Sequence, residues 1–343
     1  MFGNVMAIER ALGTGIIISS SVPISQRLQK RIRDFIEEYE SVLSRFRADS
    51  LVSRMARAEH GGEFEFPTWA QPLFALYSEF YAATHGAFDA CIGADLLALG
   101  YDNSVQFVPE SASSASENSG SASASWSKYH RALPVTWADI SRDDGGTTLR
   151  TSQPVQLDFG AAGKGYFIDL VTQIIKEEFS EQLPADFDFL VNAGGDMRAC
   201  FGKENSQIKV ALENPFDATQ AVGVASIASG ALCASSAARR RWKVKDTNCL
   251  AADAFESNVV ATHLINALDG VPSQKLSASW TYVPAKTCAF PTAYADALAT
   301  ALFISQESDL QKIAQTTGAE FAVMQPNHAL RKTCAFPARF FAE

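Results

Sequence analysis

Residues 157–171 read LDFGAAGKGYFIDLV and combine a strand-like end, a turn of small residues and the start of a helix. The segment has the composition of a phosphate-binding loop but neither of the common patterns. Lys164 is followed by Gly165 where a Walker loop has Ser or Thr, and the glycines lack the spacing of a dinucleotide fingerprint. A strand that leads through this bend into a helix nevertheless favours close approach of the backbone to a ligand.

Two interpretations of this bend remain open from the residues alone. In the first, the start of the helix favours an anion, Lys164 adds a positive charge for a phosphate, and Asp158 accepts a hydrogen bond from a ribose or a ring N–H. In the second, the bend is an ordinary strand-to-helix turn and the lysine lies on the surface.

Composition limits the classes of function. The chain has 343 residues, 47% of them hydrophobic and 20% charged, as is usual for a soluble globular protein. A net charge of −9 argues against a nucleic-acid binder, so we interpret the basic run 238–245 as a solvated face or a patch for an acidic partner. No apolar run reaches the roughly 18 residues of a membrane helix, which predicts no stable membrane insertion.

The expected location is the cytoplasm. The first residues show no signal-peptide pattern, and the 6 cysteines are scattered without a CxxC pair. We therefore expect reduced and mostly buried thiols.

The hydrophobic pattern along the chain predicts an α+β fold. Runs of strands mixed with a few long helices, without strict alternation, favour this class over a doubly wound sheet. The predicted helices are 25–43, 69–86 (closed by Gly86), 165–179 and 292–305, and the predicted strands are 13–22, 155–159, 188–201, 207–212 and 320–326.

The segment 110–127 is low in complexity and rich in serine. Such a composition cannot enter a core, and it predicts a disordered surface insertion. Because the segments on both sides are short, we expect it to interrupt one domain that spans 1–343.

The segment YADALAT, 294–300, places Asp296 and Thr300 on one face of a predicted helix. A carboxylate and a hydroxyl at that spacing suit a hard cation that prefers oxygen ligands. The alternative is an exposed acid near a helix start and a threonine bonded to its own backbone.

Three further segments each have a functional and a structural interpretation. Ala87, Phe88 and Asp89 could flank a heterocycle, or they could be core and cap. The turn 194–196, Gly-Gly-Asp, could bring backbone to a ligand or simply close a hairpin. His263 could be a general base or a ligand, or it could be structural.

Taken in order, these segments resemble the ApbE family, the FAD:protein FMN transferases. The most specific motifs are DFGAAGKGY at 158–166 and ADALAT at 295–300, supported by ALGTG at 11–15 and LSRFRADSLVSRM at 43–55. The resemblance extends over nearly the whole chain except the serine-rich insertion. It implies a T-fold-like α+β architecture, with antiparallel sheets packed against helices, that holds one FAD with Mg²⁺ at its pyrophosphate.

The resemblance also implies a set of site residues. Asp296 and Thr300 would be magnesium ligands, together with the main-chain oxygens of Ala161 and Ala299. Phe46 would lie against the flavin ring, and Leu12 stands where the family usually has Met. The implied FAD contacts are Leu12, Phe46, Ala87, Phe88, Asp89, Asp158, Lys164 and Ile265.

The implied reaction transfers FMN from FAD to a threonine hydroxyl of an acceptor flavoprotein and releases AMP. Lys164 would stabilise charge on the phosphate oxygens, and His263 would accept the proton. The chain departs from the family at Asn266, where an aspartate is usual, and in the Cys-Ala-Ser-Ser stretch 233–236. Hydrolysis of FAD to FMN and AMP, or flavin binding without turnover, therefore remain alternatives.

Overall fold

The computed structural model describes residues 2–102, 135–179, 187–245 and 258–341. The serine-rich segment 110–127, predicted to be a disordered insertion, lies outside the described residues. The prediction that one domain spans the chain stays a prediction.

The long helices lie where the apolar periodicity predicts them. Helix α1 begins after Ser25, whose Oγ accepts a hydrogen bond from the Leu28 N–H at 3.0 Å and so caps the helix. The predicted helices 25–43, 69–86, 165–179 and 292–305 are confirmed as α1, α3, α5 and α6. The helices are α1 (Gln26–Leu43), α2 (Leu51–Ala56), α3 (Gln71–Ala83), α4 (Gly93–Ala98), α5 (Gly163–Glu178), α6 (Pro291–Ile304) and α7 (Glu307–Thr317).

The strands, in chain order, are short and numerous. They are β1 (Asn4–Ala11), β2 (Thr14–Ser20), β3 (Gly62–Glu65), β4 (Ser141–Arg142), β5 (Thr148–Thr151), β6 (Phe189–Ala193), β7 (Asp196–Cys200), β8 (Ile208–Asn214), β9 (Asp217–Ile227), β10 (Gly230–Ser236), β11 (Arg241–Lys245), β12 (Asn258–Thr262), β13 (Ile265–Asn266), β14 (Val271–Pro272), β15 (Ala278–Pro284), β16 (Glu320–Met324), β17 (Leu330–Lys332) and β18 (Ala338–Phe340).

An antiparallel sheet of 8 strands organises the molecule, in the order β1-β2-β6-β7-β10-β15-β16-β17. Every neighbouring pair in it is antiparallel, which confirms the expected α+β class with antiparallel sheets. Gly194 and Gly195, at φ +63° and +103°, make the tight turn between β6 and β7, as the hairpin interpretation of this segment expects.

The sheet has a core on each face. Helices α5 and α6 pack on one face and are covered in turn by α1 and α3, and this layer contains the larger apolar cluster. The 3-stranded sheet β8-β9-β18 covers part of the other face around Trp280 and Leu212. The helix layer therefore places α5 and α6 directly against β7, β10 and β15.

The strand predicted at 155–159 is wrong. The Asp158 N–H donates to the Ala90 carbonyl oxygen at 2.8 Å, and the Gly93 N–H donates to that of Gln156 at 3.1 Å. The segment is therefore bonded to the turn before α4 and joins no sheet. An added Cβ at Gly93 would lie 2.5 Å from the Gln156 oxygen, so only glycine permits this approach.

Two further expectations concern the whole chain. Within the described ranges, no helix is both long and apolar enough to cross a bilayer. Of the cysteines described there, Cys91, Cys200 and Cys233 are buried, as expected, whereas Cys334 is exposed.

Candidate functional site

A cavity of about 580 Å³ lies where the start of α5, the middle of α6, the β6–β7 turn and the end of β10 meet. Its volume is in the range of small-molecule sites. Most of the residues predicted from the sequence line it, although they come from distant segments. They are Ala87, Phe88, Asp89, Asp158, Ala161, Lys164, His263, Ile265, Asp296 and Thr300.

Helices α5 and α6 touch at Gly165. The Gly165 N–H donates to Oδ2 of Asp296 at 2.9 Å. An added Cβ at Gly165 would lie 2.3 Å from the Thr292 carbonyl oxygen and 2.8 Å from Cβ of Asp296. The glycine after Lys164 is therefore required by helix packing. It also means that this N–H at the helix start serves a carboxylate and is not free for an anionic ligand.

Asp169 fixes the same two helices at their other contact. Its carboxylate accepts hydrogen bonds from Oγ1 of Thr292 at 2.6 Å and from the N–H groups of Thr292 and Ala293 at 2.9 Å. It thus caps α6 from α5, which sets the position of Asp296 one turn further on. Burial raises the pKa of Asp169 to about 6, opposed by the nearby Arg198 and by these hydrogen bonds.

Lys164 lies between two buried carboxylates. Its Nζ contacts Oδ2 of Asp196 and is 3.7 Å from Oδ1 of Asp296. Asp196 also accepts a hydrogen bond from the Ala234 N–H at 3.1 Å, which ties it to β10. The lysine is not a free surface residue, so the interpretation of 157–171 as an ordinary turn is wrong on this point. The Gly-Gly-Asp motif predicted a turn at 194–196, but it gave no sign that the Asp196 carboxylate would pair with Lys164.

The oxygen donors of α6 face the cavity as a pair. Asp296 is 3% exposed, and Oγ1 of Thr300 is 3.3 Å from Oγ of Ser235. Burial raises the pKa of Asp296, and the positive charge of Lys164 opposes the rise. A buried carboxylate, a hydroxyl and a main-chain carbonyl such as that of Ala161, which lines the same cavity, are donors that a hard divalent cation prefers.

The other predicted metal ligand is placed differently. Ala299 is fully buried, does not line the cavity, and its carbonyl oxygen accepts a hydrogen bond from Oγ of Ser279 at 2.6 Å. In the described part of the chain, His, Cys, Asp and Glu side chains form no cluster of three that could hold a metal. A cation here would therefore depend on Asp296 with neutral oxygens and the ligand.

Asp158 is held by an arginine that sequence reasoning missed. Its Oδ2 is 2.5 Å from Nε of Arg45, and its Oδ1 accepts from the Gly160 N–H at 2.6 Å. The side chains of Asp158 and Arg45 are only 13% and 10% exposed. The carboxylate thus stabilises the bend at 158–160, and its direct contact with a ligand would use its remaining lone pairs.

Aromatic rings form one wall of the cavity. Tyr101 lines it and stacks on Trp242, with ring centroids 5.0 Å apart. Phe46 does not line the cavity; it is 41% exposed and meets the edge of Tyr101 at 5.8 Å. The Arg45 guanidinium lies 4.2 Å from the Phe46 centroid and 4.9 Å from that of Tyr101. Phe46 therefore stands at the rim, beside the aromatic wall.

Leu12 also lies beside the cavity without lining it. It has φ +51° in the turn between β1 and β2, and its N–H donates to Oε1 of Glu40 at 2.7 Å. The next residues, Gly13 and Thr14, do line the cavity. The ALGTG motif at 11–15 therefore contributes its turn residues, and not the side chain of Leu12, to the cavity wall.

The Ala-Phe-Asp segment 87–89 lines the cavity and also makes core and cap contacts, so its position fits both interpretations of it. Phe88 packs between Tyr77 and Phe80, and Oδ1 of Asp89 accepts from the N–H groups of Cys91 and Trp137 at 2.7 and 3.1 Å. These are core and cap contacts. Both residues line the cavity as well.

His263 is a neutral imidazole on the cavity wall. Burial, together with the positive charges of Arg240 and Lys164, lowers its pKa from 6.5 to about 3. Within the described ranges, its Nδ1 has no hydrogen-bond partner. It can accept a proton at neutral pH, but it is a weak base unless an anion binds beside it.

The departures from the family pattern serve local structure. Oδ1 of Asn266 accepts from the Leu268 N–H at 2.9 Å, a turn contact that an aspartate would also make. Oγ of Ser236 accepts from the Ala238 N–H at 3.1 Å.

Comparison with known proteins gave one family and one fold. The family model described as the ApbE family matches residues 12–324. No curated protein matched the sequence.

Solved structures with the same fold cover nearly the full length of the chain. One is an ApbE protein of Thermotoga maritima, with TM-score 0.70, 20% identity and coverage of 97% of this chain and 98% of that one. A flavin transferase ApbE of Vibrio cholerae has TM-score 0.66, 17% identity and 96% coverage of both chains. An apo flavinyl transferase ApbE of Pseudomonas stutzeri has TM-score 0.66, 20% identity and coverage of 98% and 97%.

Proposed function

This chain belongs to the ApbE family, and we propose that it is an FAD:protein FMN transferase. It transfers FMN from FAD to a threonine hydroxyl of an acceptor flavoprotein and releases AMP. One observation carries the proposal: a single cavity contains both the Asp296–Thr300 pair and the bend 158–164 with its lysine. Solved structures of the same fold include proteins named as flavin transferases.

We further propose that the cavity binds Mg²⁺ with FAD. The carboxylate of Asp296, the hydroxyl of Thr300 and the carbonyl oxygen of Ala161 would hold the ion, and phosphate oxygens of FAD would complete its shell. When bound, Mg²⁺ would neutralise charge on the phosphate that is transferred. Burial of Asp296 supports this assignment, because a buried carboxylate gains most from a cation.

The protein's own groups would align and activate the reactants. A bond forms between the acceptor threonine oxygen and the FMN phosphorus, and the bond from that phosphorus to the AMP oxygen breaks. Lys164, oriented by Asp196, would neutralise phosphate oxygens as charge develops. Neutral His263 would accept the hydroxyl proton, since nearby phosphates would raise the pKa of its imidazole.

The cytoplasm is the compartment that we propose for this reaction. The scattered cysteines without a CxxC pair, three of them buried (Cys91, Cys200 and Cys233), are consistent with this compartment.

Incubation of the purified protein with FAD, Mg²⁺ and a threonine-containing acceptor peptide tests the function by mass spectrometry. The expected products are a peptide carrying FMN and an equal amount of AMP. The matched control is a peptide with valine in place of the threonine. FMN and AMP beside an unmodified peptide would instead identify an FAD hydrolase, and unchanged FAD retained by the protein would identify a binding protein.

A further inference from the structure

Arg240 faces the same cavity from the turn that joins β10 to β11. Its Nη1 lies 3.2 Å from the hydroxyl of Tyr101. Its positive charge also acts on His263, whose pKa it helps burial to lower, and on Asp296, where it opposes the rise in pKa that burial causes. Arg240 therefore lies on the same cavity as Lys164, His263 and Asp296.

The other cations at this cavity are already paired with carboxylates. Lys164 contacts Asp196, and Nε of Arg239 is 2.9 Å from Oε1 of Glu213. Arg45, behind the wall, is paired with Asp158. Across the described part of the chain, Arg240 has no carboxylate partner within ion-pair distance.

Charge balance favours an anion beside Arg240. Around Lys164, Asp196 and Asp296 carry two negative charges against the single positive charge of the lysine. A diphosphate adds two more negative charges, and a divalent cation removes only two. An additional cation would therefore bring the charge around a diphosphate bound beside Lys164 closer to neutral.

We propose that Arg240 binds the diphosphate of FAD through its guanidinium and fixes the dinucleotide in the cavity. This inference rests on the proposed function, because it takes FAD as the ligand. A planar guanidinium can donate two parallel hydrogen bonds to phosphate oxygens, which a lysine cannot do.

The aromatic wall positions Arg240 in advance. The Tyr101 hydroxyl contacts the guanidinium, and the ring of Tyr101 is held by its stack on Trp242. Trp242 in turn donates from Nε1 to the Leu99 carbonyl oxygen at 2.5 Å. Because the side chain is held before the ligand arrives, less conformational entropy is lost on binding.

Equilibrium binding of FAD in the presence of Mg²⁺ tests this role, measured by quenching of flavin fluorescence. Arg240→Gln is expected to weaken FAD affinity about 10- to 100-fold, and Arg240→Lys about 3- to 10-fold. The salt dependence of the dissociation constant should also become shallower in Arg240→Gln, because one charged contact is lost. The matched control is Arg241→Gln, the next arginine, which does not line the cavity and should bind FAD within about twofold of the parent.

Several results would overturn the role. One such result is that Arg240→Gln binds FAD as tightly as the parent. Another is that Arg241→Gln loses as much FAD affinity as Arg240→Gln. If Arg240→Gln binds FAD more weakly but with an unchanged salt dependence, Arg240 would only support the aromatic wall at Tyr101. If the parent protein binds FAD but transfers no FMN, the proposed function is overturned and the role of Arg240 in binding is not. If the parent binds no FAD, both the proposed function and the role of Arg240 are overturned.

Discussion

The main-chain N–H of Gly165 donates a hydrogen bond to Oδ2 of Asp296 at 2.9 Å and joins the first turn of α5 to the middle of α6. The two most specific motifs of the sequence therefore meet in space. The bond orients the carboxylate so that its other oxygen faces Lys164 and the cavity. The same packing contact thus sets the stability of the helix pair and the geometry of the candidate metal site.

Gly165→Ala is expected to destabilise the protein by about 3 kcal/mol, because the added methyl group would overlap the Thr292 carbonyl and Asp296. Chemical denaturation measures this loss of unfolding free energy. The matched control is Gly15→Ala in β2, where an added Cβ would approach no atom closer than 3.5 Å. Equal stabilities of the two variants would refute the helix contact.

Asp296→Asn should retain the hydrogen bond from Gly165, since the amide oxygen can accept it, while the negative charge is lost. We expect the thermal midpoint to stay close to that of the parent. FAD affinity should no longer respond to Mg²⁺, and FMN transfer should fall about 100-fold or more. Magnesium titrations of FAD binding measure the effect, with the exposed Asp34→Asn as the control. A retained magnesium response would exclude Asp296 as a ligand.

Arg45→Met is expected to cost about 3–5 kcal/mol of stability, because it leaves the buried carboxylate of Asp158 without its partner. Removing both charges in Arg45→Met with Asp158→Asn should restore part of the loss. Arg47→Met is the control, since its partners Glu37 and Asp49 are 69% and 70% exposed and solvent screens these ion pairs, so a much smaller loss is expected. Similar losses at positions 45 and 47 would contradict the importance of the buried pair.

The sequence predicts the long helices because each buries a periodic apolar face, as in α1 with Leu28, Ile32 and Ile36. Strand β10 was not predicted. Its sequence GALCASS is rich in small residues and mostly buried, so it lacks the alternation that identifies a strand with one wet face.

The candidate site also has a part that the sequence predicts and a part that it does not. Asp296 and Thr300 are one helical turn apart, so a local pattern can predict that they share a face. Arg45 and Asp158 are 113 residues apart, and Asp196 meets Lys164 only through the sheet and α5. Such pairs depend on tertiary contacts that no short motif contains, which is also why Arg240 was assigned to the surface.

His263 is expected to make the protein sensitive to acid. Its pKa in the folded protein is about 3, below the ordinary value of 6.5, chiefly because the ring is buried. Between these values the unfolded chain binds a proton that the folded protein does not, so stability from this group is present above pH 6.5 and is lost as the pH falls toward 3. At pH 4 we expect a loss of about 3 kcal/mol relative to pH 7 from this residue alone. His263→Gln should therefore lose less unfolding free energy than the parent between pH 7 and pH 4, measured by denaturation at each pH, and parallel losses in both proteins would show that the histidine titrates normally.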